Sequence, residues 1–264
     1  MRQPDVVLTI AGSDSSGGAG IQADIKTISA LGGYAASIIT AVTAQNTLGV
    51  QDIFPIPPNV VKKQLTAVME DLQPKSVKIG MIYDTNTAQV ITGALKKYQP
   101  TFVIYDPVMV STSGRRLMAV SAIQYIQDEL FPLCTLVTPN LNEASLLCGT
   151  TLNNTDQMKT YGKMLSTRYN TNVLIKGGHL NGCFMNDILC TTEGTCREYT
   201  TSKIISQNLH GTGCTLSSAI ATLLSREIPL DKAVDEAKKY ITRAIEESKE
   251  WHIGKGNGPL CHFF

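Results

Sequence analysis

Charge is scarce in this 264-residue chain: charged residues make up 17% of it, and 23 Lys and Arg against 22 Asp and Glu leave a formal net charge of +1. There is no basic cluster and no acidic tail, which argues against nucleic acid or an anionic membrane as partner. No apolar run reaches the roughly 18 residues of a membrane span. Met1-Arg2-Gln3-Pro4-Asp5 leads straight into a strand-like run, an opening without a signal peptide. The seven cysteines, at 134, 148, 183, 190, 196, 214 and 261, are odd in number, widely spaced and without a C-x-x-C. Reduced thiols in a cytoplasmic protein are therefore expected, and neither a disulfide nor a zinc framework.

Two common phosphate motifs are missing as well. Gly12 to Gly17 has the spacing of a Walker A loop, but Gly18-Ala19 stands where Lys-Ser/Thr is required. Gly18-Ala19-Gly20-Ile21-Gln22-Ala23 matches G-x-G-x-x-A, yet a long loop separates it from the preceding strand. Thr43-Ala44-Gln45 stands where an acid would hold a ribose. What remains is a Gly-rich loop carrying Asp14 and reaching Asp24, suited to enclosing a small substrate.

Hydrophobic residues, at 43%, are ample for a full core. Val6–Ala11 and Tyr34–Val42 are continuous apolar runs, the mark of strands buried on both faces. Further strands are expected at 77–80, 101–106, 136–140 and 172–176, with a hairpin around Glu193-Gly194. Helices are expected at 21–31, after Asn59 as N-cap with a stripe at Val60, Gln64, Ala67, Val68 and Leu72, at 143–148, and at 231–248. Alternating strands and helices predict a mostly parallel sheet covered on both faces, here as one domain spanning 1–264. Ligands of such sheets bind at the carboxyl ends of the strands. The unusual residues stand there: Gly12 to Gly20, Gln45, Met81, Asp106 to Val108, Asn140 to Glu143, and Lys176 to His179.

His210-Gly211-Thr212-Gly213-Cys214 runs into a stretch of good helix formers. First-turn amides from about Thr212 to Cys214 have no intrahelical partner, so this is an anion site, and a thiol there is expected to be acidified. Asp106, Asn140 and Glu143 near one sheet edge suit Mg²⁺, although Asn140 or Asn142 could simply cap a helix and Glu143 complement its dipole. Lys176-Gly177-Gly178-His179 adds a cation and flexible backbone.

In order along the chain, these segments resemble hydroxymethylpyrimidine/phosphomethylpyrimidine kinases, a branch of the ribokinase superfamily. The matching stretches are 11–24, 40–47, Lys78-Ile79-Gly80-Met81, 138–144, 176–179, 210–216 and 254–259. The resemblance implies a ribokinase-like three-layer α/β/α sandwich, with ATP and Mg²⁺ as cofactors. It implies phosphorylation of 4-amino-5-hydroxymethyl-2-methylpyrimidine and then of its monophosphate, in a cytoplasmic homodimer. It puts the pyrimidine near Gly12, Ala19, Asp24, Gln45, Met81, Val108 and Cys214. It puts ATP near Asn140, Lys176, Gly178, Gly211 and Gly213, and metal at Asp106 and Glu143. The catalytic set would be Cys214 with Gly211, Thr212, Gly213 and Lys176. Gly-Thr-Gly-Cys also occurs in related pyridoxal kinases, so pyridoxal is an alternative substrate. A nucleotide- or vitamin-binding protein without catalysis is the alternative of another class.

Overall fold

A computed structural model of the chain describes residues 4–109, 117–178 and 182–264. Met1 to Gln3 and His179, both named above, lie outside the described residues. The strands are β1 (Val6–Asp14), β2 (Tyr34–Asn46), β3 (Gly49–Pro55), β4 (Ser76–Ile79), β5 (Phe102–Tyr105), β6 (Leu136–Val137), β7 (Asn172–Ile175), β8 (Phe184–Cys190) and β9 (Cys196–Ser202). The helices are α1 (Gly20–Ala30), α2 (Pro58–Asp71), α3 (Thr85–Tyr98), α4 (Val120–Tyr125), α5 (Leu141–Cys148), α6 (Thr155–Tyr169), α7 (Thr212–Ser225) and α8 (Leu230–Ser248). One nine-stranded sheet runs β3-β2-β1-β4-β5-β6-β7-β8-β9. Its middle, from β2 to β7, is parallel, and β3, β8 and β9 pair antiparallel at the margins.

The apolar runs are explained by side-chain alternation along each strand. Leu8, Ile10, Val77, Ile79, Val103, Tyr105, Val173 and Ile175 join one core with α2, α3, α5 and α6. Val7, Ile104, Leu136 and Leu174 point the other way, into a second core with α7 and α8. The layers are therefore helix, sheet and helix, as the strand pattern predicts.

Local expectations fail in four places. Pro57, not Asn59, is the N-cap of α2, since Pro58 at the first helical position has a φ already suited to a helix start. The buried stripe of α2 is Val61, Leu65 and Met69; of the predicted one, Val68 and Leu72 are half-buried against the core, while Val60 and Ala67 are exposed. Helices α3, α4 and α6 and the edge strand β3 were not foreseen; α3 and α6 each start on an Asx cap, Asp84 or Asn154. Finally, Cys190 and Cys196 are joined in a disulfide, against the expectation of reduced thiols throughout. The two stand directly opposite in the β8–β9 hairpin, so the register brings them together. Cys134, Cys148, Cys183, Cys214 and Cys261 are free.

Candidate active site

Helix α7 begins beneath the carboxyl ends of β1, β4 and β5, against which it packs. Its N-cap, Gly211, has φ +88°, a left-handed conformation that glycine adopts without strain. No side chain caps the helix. The Thr212 N–H is taken by the Leu209 carbonyl at 3.3 Å, which leaves Gly213 and Cys214 as the first-turn amides for an anion. The expected anion site is thus narrower by one donor.

Gly213 brings this turn against two charged groups. A Cβ on Gly213 would stand 3.1 Å from Asp106 Oδ2 and 3.2 Å from Lys176 Nζ. Lys176 donates to Asp106 Oδ1 at 2.5 Å, and Thr138 Oγ1 donates to the same oxygen at 3.1 Å. Burial would discharge Lys176, but the Asp106 and Glu143 carboxylates outweigh it and hold its pKa above the ordinary lysine value. Asn140 and Lys176 are bridged through their backbones.

Glu143 and Asn140 form a capping box at the start of α5. Asn140 N–H donates to Glu143 Oε2 at 2.8 Å, and Glu143 N–H donates to Asn140 Oδ1 at 2.9 Å. The cap reading of these residues is therefore present in the fold. Burial pushes the Glu143 carboxyl up to about 7, with Lys176 opposing and the Asp106 charge adding to the rise. Among the described residues no three His, Cys, Asp or Glu side chains gather as a metal cage.

Below Cys214 lies a cluster that the sequence did not reveal. Lys78 is fully buried and donates to both Asp24 oxygens at 2.8 Å. Ser218, one turn beyond Cys214 in α7, donates to Asp24 Oδ1 at 2.7 Å, and Thr9 donates to Oδ2 at 2.6 Å. Asp24, expected at the substrate, has all of its charge taken up inside the protein. Burial alone would lower the Lys78 pKa, but the Asp24 carboxylate reverses this and keeps the ammonium charged. The Cys214 thiol is not acidified: burial pushes it up to about 11, offset only in part by Lys78 and the Gly20 N–H.

On the other side of the turn, Gly12, Met81 and Val108 come together. A Cβ on Gly12 would be 3.0 Å from Met81 Sδ. Met81 packs with Ala41 and Leu117, and Val108, Tyr83, Val50 and Ile53 lean on that small apolar cluster. Ala19 is the N-cap of α1 and donates its N–H to Asp14 Oδ2 at 2.9 Å. Gln45, near the end of β2, lies 3.1 Å from Thr43 Oγ1 and 3.1 Å from His210 Nε2. Gly178 ends β7's exit and packs against Met185. The fold thus gathers most of the predicted residues around the α7 turn, sets Asp24 behind it, and adds His210 and Lys78. Asp14, in the loop Asp14-Ser15-Ser16-Gly17-Gly18, was the one readable hint of the His210 contact.

The sequence matches a family model described as phosphomethylpyrimidine kinase over residues 14–261. It is 44% identical over 259 residues to a hydroxymethylpyrimidine/phosphomethylpyrimidine kinase of Rhizobium meliloti, covering 98% of this chain and 97% of that one. It is 44% identical over 256 residues to a bifunctional thiamine biosynthesis protein of Geobacter sulfurreducens. The match covers 97% of this chain but about half, 52%, of that longer relative. Among solved structures, a phosphomethylpyrimidine kinase of Clostridium difficile superposes with a TM-score of 0.81 at 43% identity, covering 91% of this chain and 99% of that chain. A pyridoxal kinase of Staphylococcus aureus in complex with AMP-PCP and pyridoxal superposes with a TM-score of 0.89 at 30% identity, covering 99% and 94%.

Proposed function

The chain belongs to the phosphomethylpyrimidine kinase family, and from that premise we propose the reaction and the residues that carry it. It is a ribokinase-like phosphotransferase that acts on 4-amino-5-hydroxymethyl-2-methylpyrimidine, first at the alcohol and then at the monophosphate, with ATP as donor. The observation that carries the residue assignment is the approach of Gly213 to Asp106 and Lys176, with Cys214 next in the same uncapped turn. The protein works as one kinase domain over 1–264, in the cytoplasm, as a homodimer. No described helix is long and apolar enough to cross a membrane.

Phosphoryl transfer needs in-line positioning and cancellation of charge on the equatorial oxygens. The Gly213 and Cys214 amides and the Lys176 ammonium supply donors and positive charge for that role. In the first step the alcohol oxygen bonds to the γ-phosphorus, the bond to the β–γ bridging oxygen breaks, and the Cys214 thiolate, formed by prior loss of the thiol proton to solvent, takes the alcohol proton. In the second step the acceptor is an ionised phosphate oxygen, which has no proton to lose. Met81, Gly12 and Val108 form the apolar wall against which the ring packs.

The buried carboxylates Asp106 and Glu143 fit Mg²⁺, which takes few protein oxygens and keeps several waters. They would hold the ion, which when bound neutralises phosphate charge. Glu143→Gln is expected to raise the Mg²⁺ concentration required and lower turnover while the protein stays folded. If stability instead falls by roughly 0.3–1 kcal/mol and the Mg²⁺ dependence does not move, Glu143 only serves its helix.

ATP consumption with the pyrimidine alcohol, its monophosphate and pyridoxal, measured in parallel, tests the reaction. Turnover of both pyrimidines is expected; turnover of pyridoxal alone would overturn it. For ring choice, Gln45→Met is expected to weaken catalytic efficiency for the pyrimidine alcohol by on the order of 10²-fold, and for pyridoxal much less. A carboxamide can donate to a ring nitrogen and accept from the adjacent amino group, whereas pyridoxal lacks that amino group. Equal losses on both substrates would make Gln45 a scaffold residue.

A further inference from the structure

We infer that His210, anchored on Asp14, is a positioning residue that fixes which way the Gln45 carboxamide faces, and so sets ring specificity. The inference rests on Gln45 meeting the ring, as proposed above.

Asp14 is buried, and its two oxygens accept from Ser16 N and Oγ, Gly18 N and Ala19 N at 2.7–3.1 Å. His210 Nε2 lies 2.9 Å from Asp14 Oδ2. Burial raises the Asp14 pKa, but the hydrogen bonds to His210, Ser16 and Ala19 outweigh it and hold the carboxyl down at about 2, so it is an anion at neutral pH. An imidazole lone pair aimed at a carboxylate is repelled, so His210 Nε2 must carry its proton. The same nitrogen stands 3.1 Å from Gln45 Nε2. Two N–H donors cannot bond to each other. A half-turn of the amide, which exchanges oxygen and nitrogen in nearly the same volume, resolves this. Gln45 Oε1 then shares the single His210 Nε2–H with Asp14 Oδ2, and Gln45 Nε2 donates to Thr43 Oγ1. The single Thr43 hydroxyl proton goes to the Ser13 carbonyl, 3.0 Å away.

Every donor in the chain Asp14, His210, Gln45, Thr43, Ser13 now meets an acceptor. The amide retains one N–H and one oxygen lone pair, the complement of a ring nitrogen beside an amino group. In the opposite orientation a second N–H would crowd His210. Gly18 makes room for this arrangement, because a Cβ there would collide with His210 Cδ2. The small residue in the loop therefore serves the imidazole packed against it.

The test compares catalytic efficiency for the pyrimidine alcohol and for pyridoxal in His210→Leu, His210→Gln, Gln45→Met and the Gln45→Met/His210→Leu pair. His210→Leu is expected to lower the pyrimidine-to-pyridoxal ratio about tenfold, the size of one lost positioning hydrogen bond. His210→Gln, whose NH₂ can still donate to both Asp14 and Gln45, is expected to restore most of it. In the Gln45→Met background, His210→Leu is expected to move the ratio by no more than about twofold, the scatter of additive pairs. A fall in both efficiencies at constant ratio overturns the inference, as does an equal ratio change with Gln45 absent. If the parent protein does not phosphorylate the pyrimidine, the proposed reaction falls, and amide NMR decides the orientation. Gln45 NH₂ protons close to Thr43 support it, and NH₂ protons close to the His210 imidazole overturn it.

Discussion

Cys214→Ala is expected to slow phosphorylation of the alcohol by about 10²- to 10⁴-fold, the usual contribution of a general base. The monophosphate step is expected to fall far less, because its acceptor oxygen is already ionised. The half-buried thiol, pushed up to about 11, adds a pH signature. A thiol is a base only after losing its own proton, so the active fraction rises with pH up to the pKa. Efficiency on the alcohol should climb by about tenfold per unit from pH 7 to 9, while efficiency on the monophosphate stays comparatively flat. Equal losses in both steps, or an alcohol profile without slope, would reduce Cys214 to a positioning group. A covalent adduct on the sulfur would make it a nucleophile instead.

Lys78→Met is expected to destabilise the fold by about 3–5 kcal/mol, since it leaves the Asp24 carboxylate buried and unpaired. Thr9 and Ser218 still donate to Asp24, but two hydroxyls do not replace an ammonium in contact with both oxygens. Adding Asp24→Asn removes the stranded charge, keeps an acceptor for one hydroxyl and offers a donor to the other, and should recover most of the loss. Denaturant unfolding of both variants measures this. A single variant as stable as the parent, or a double variant no better than the single, would show that the pair is not a buried charge couple. The double variant loses both the Lys78 cation that draws the Cys214 thiol downward and the Asp24 charge that pushes it up, so its alcohol profile should stay close to the parent's.

Much of the molecule is written locally. The strands at Val6–Asp14 and Tyr34–Asn46 follow from apolar runs, and the amphipathic α8 from its spacing, because periods of 2 and 3.6 need only near neighbours. The glycines at 211 and 213 likewise mark a helix start open to anions, whatever lies around it. In α6 the pattern is faint, and propensity alone left the element unread; α3 carries a regular buried stripe at Ala88, Ile91 and Leu95 that was passed over. The phase of α2 depended on which side met the core, and adjacent valines at 60 and 61 make that undecidable from the strip itself.

The charges were decided by the tertiary structure. Asp24 stands in a Gly-rich, substrate-like stretch, yet its partners are Lys78 and Ser218, 54 and 194 residues away. His210 gains its role from Asp14, 196 residues earlier in the chain. The acidity of Cys214 was misread for the same reason: a helix start argues for a lowered thiol pKa, but burial under the parallel sheet raises it. Sequence thus determined which groups reach the carboxyl edge of the sheet, since strand ends and turns are local. Packing determined which of them face each other and at what charge, since desolvation and pairing arise only once distant segments close around the same point.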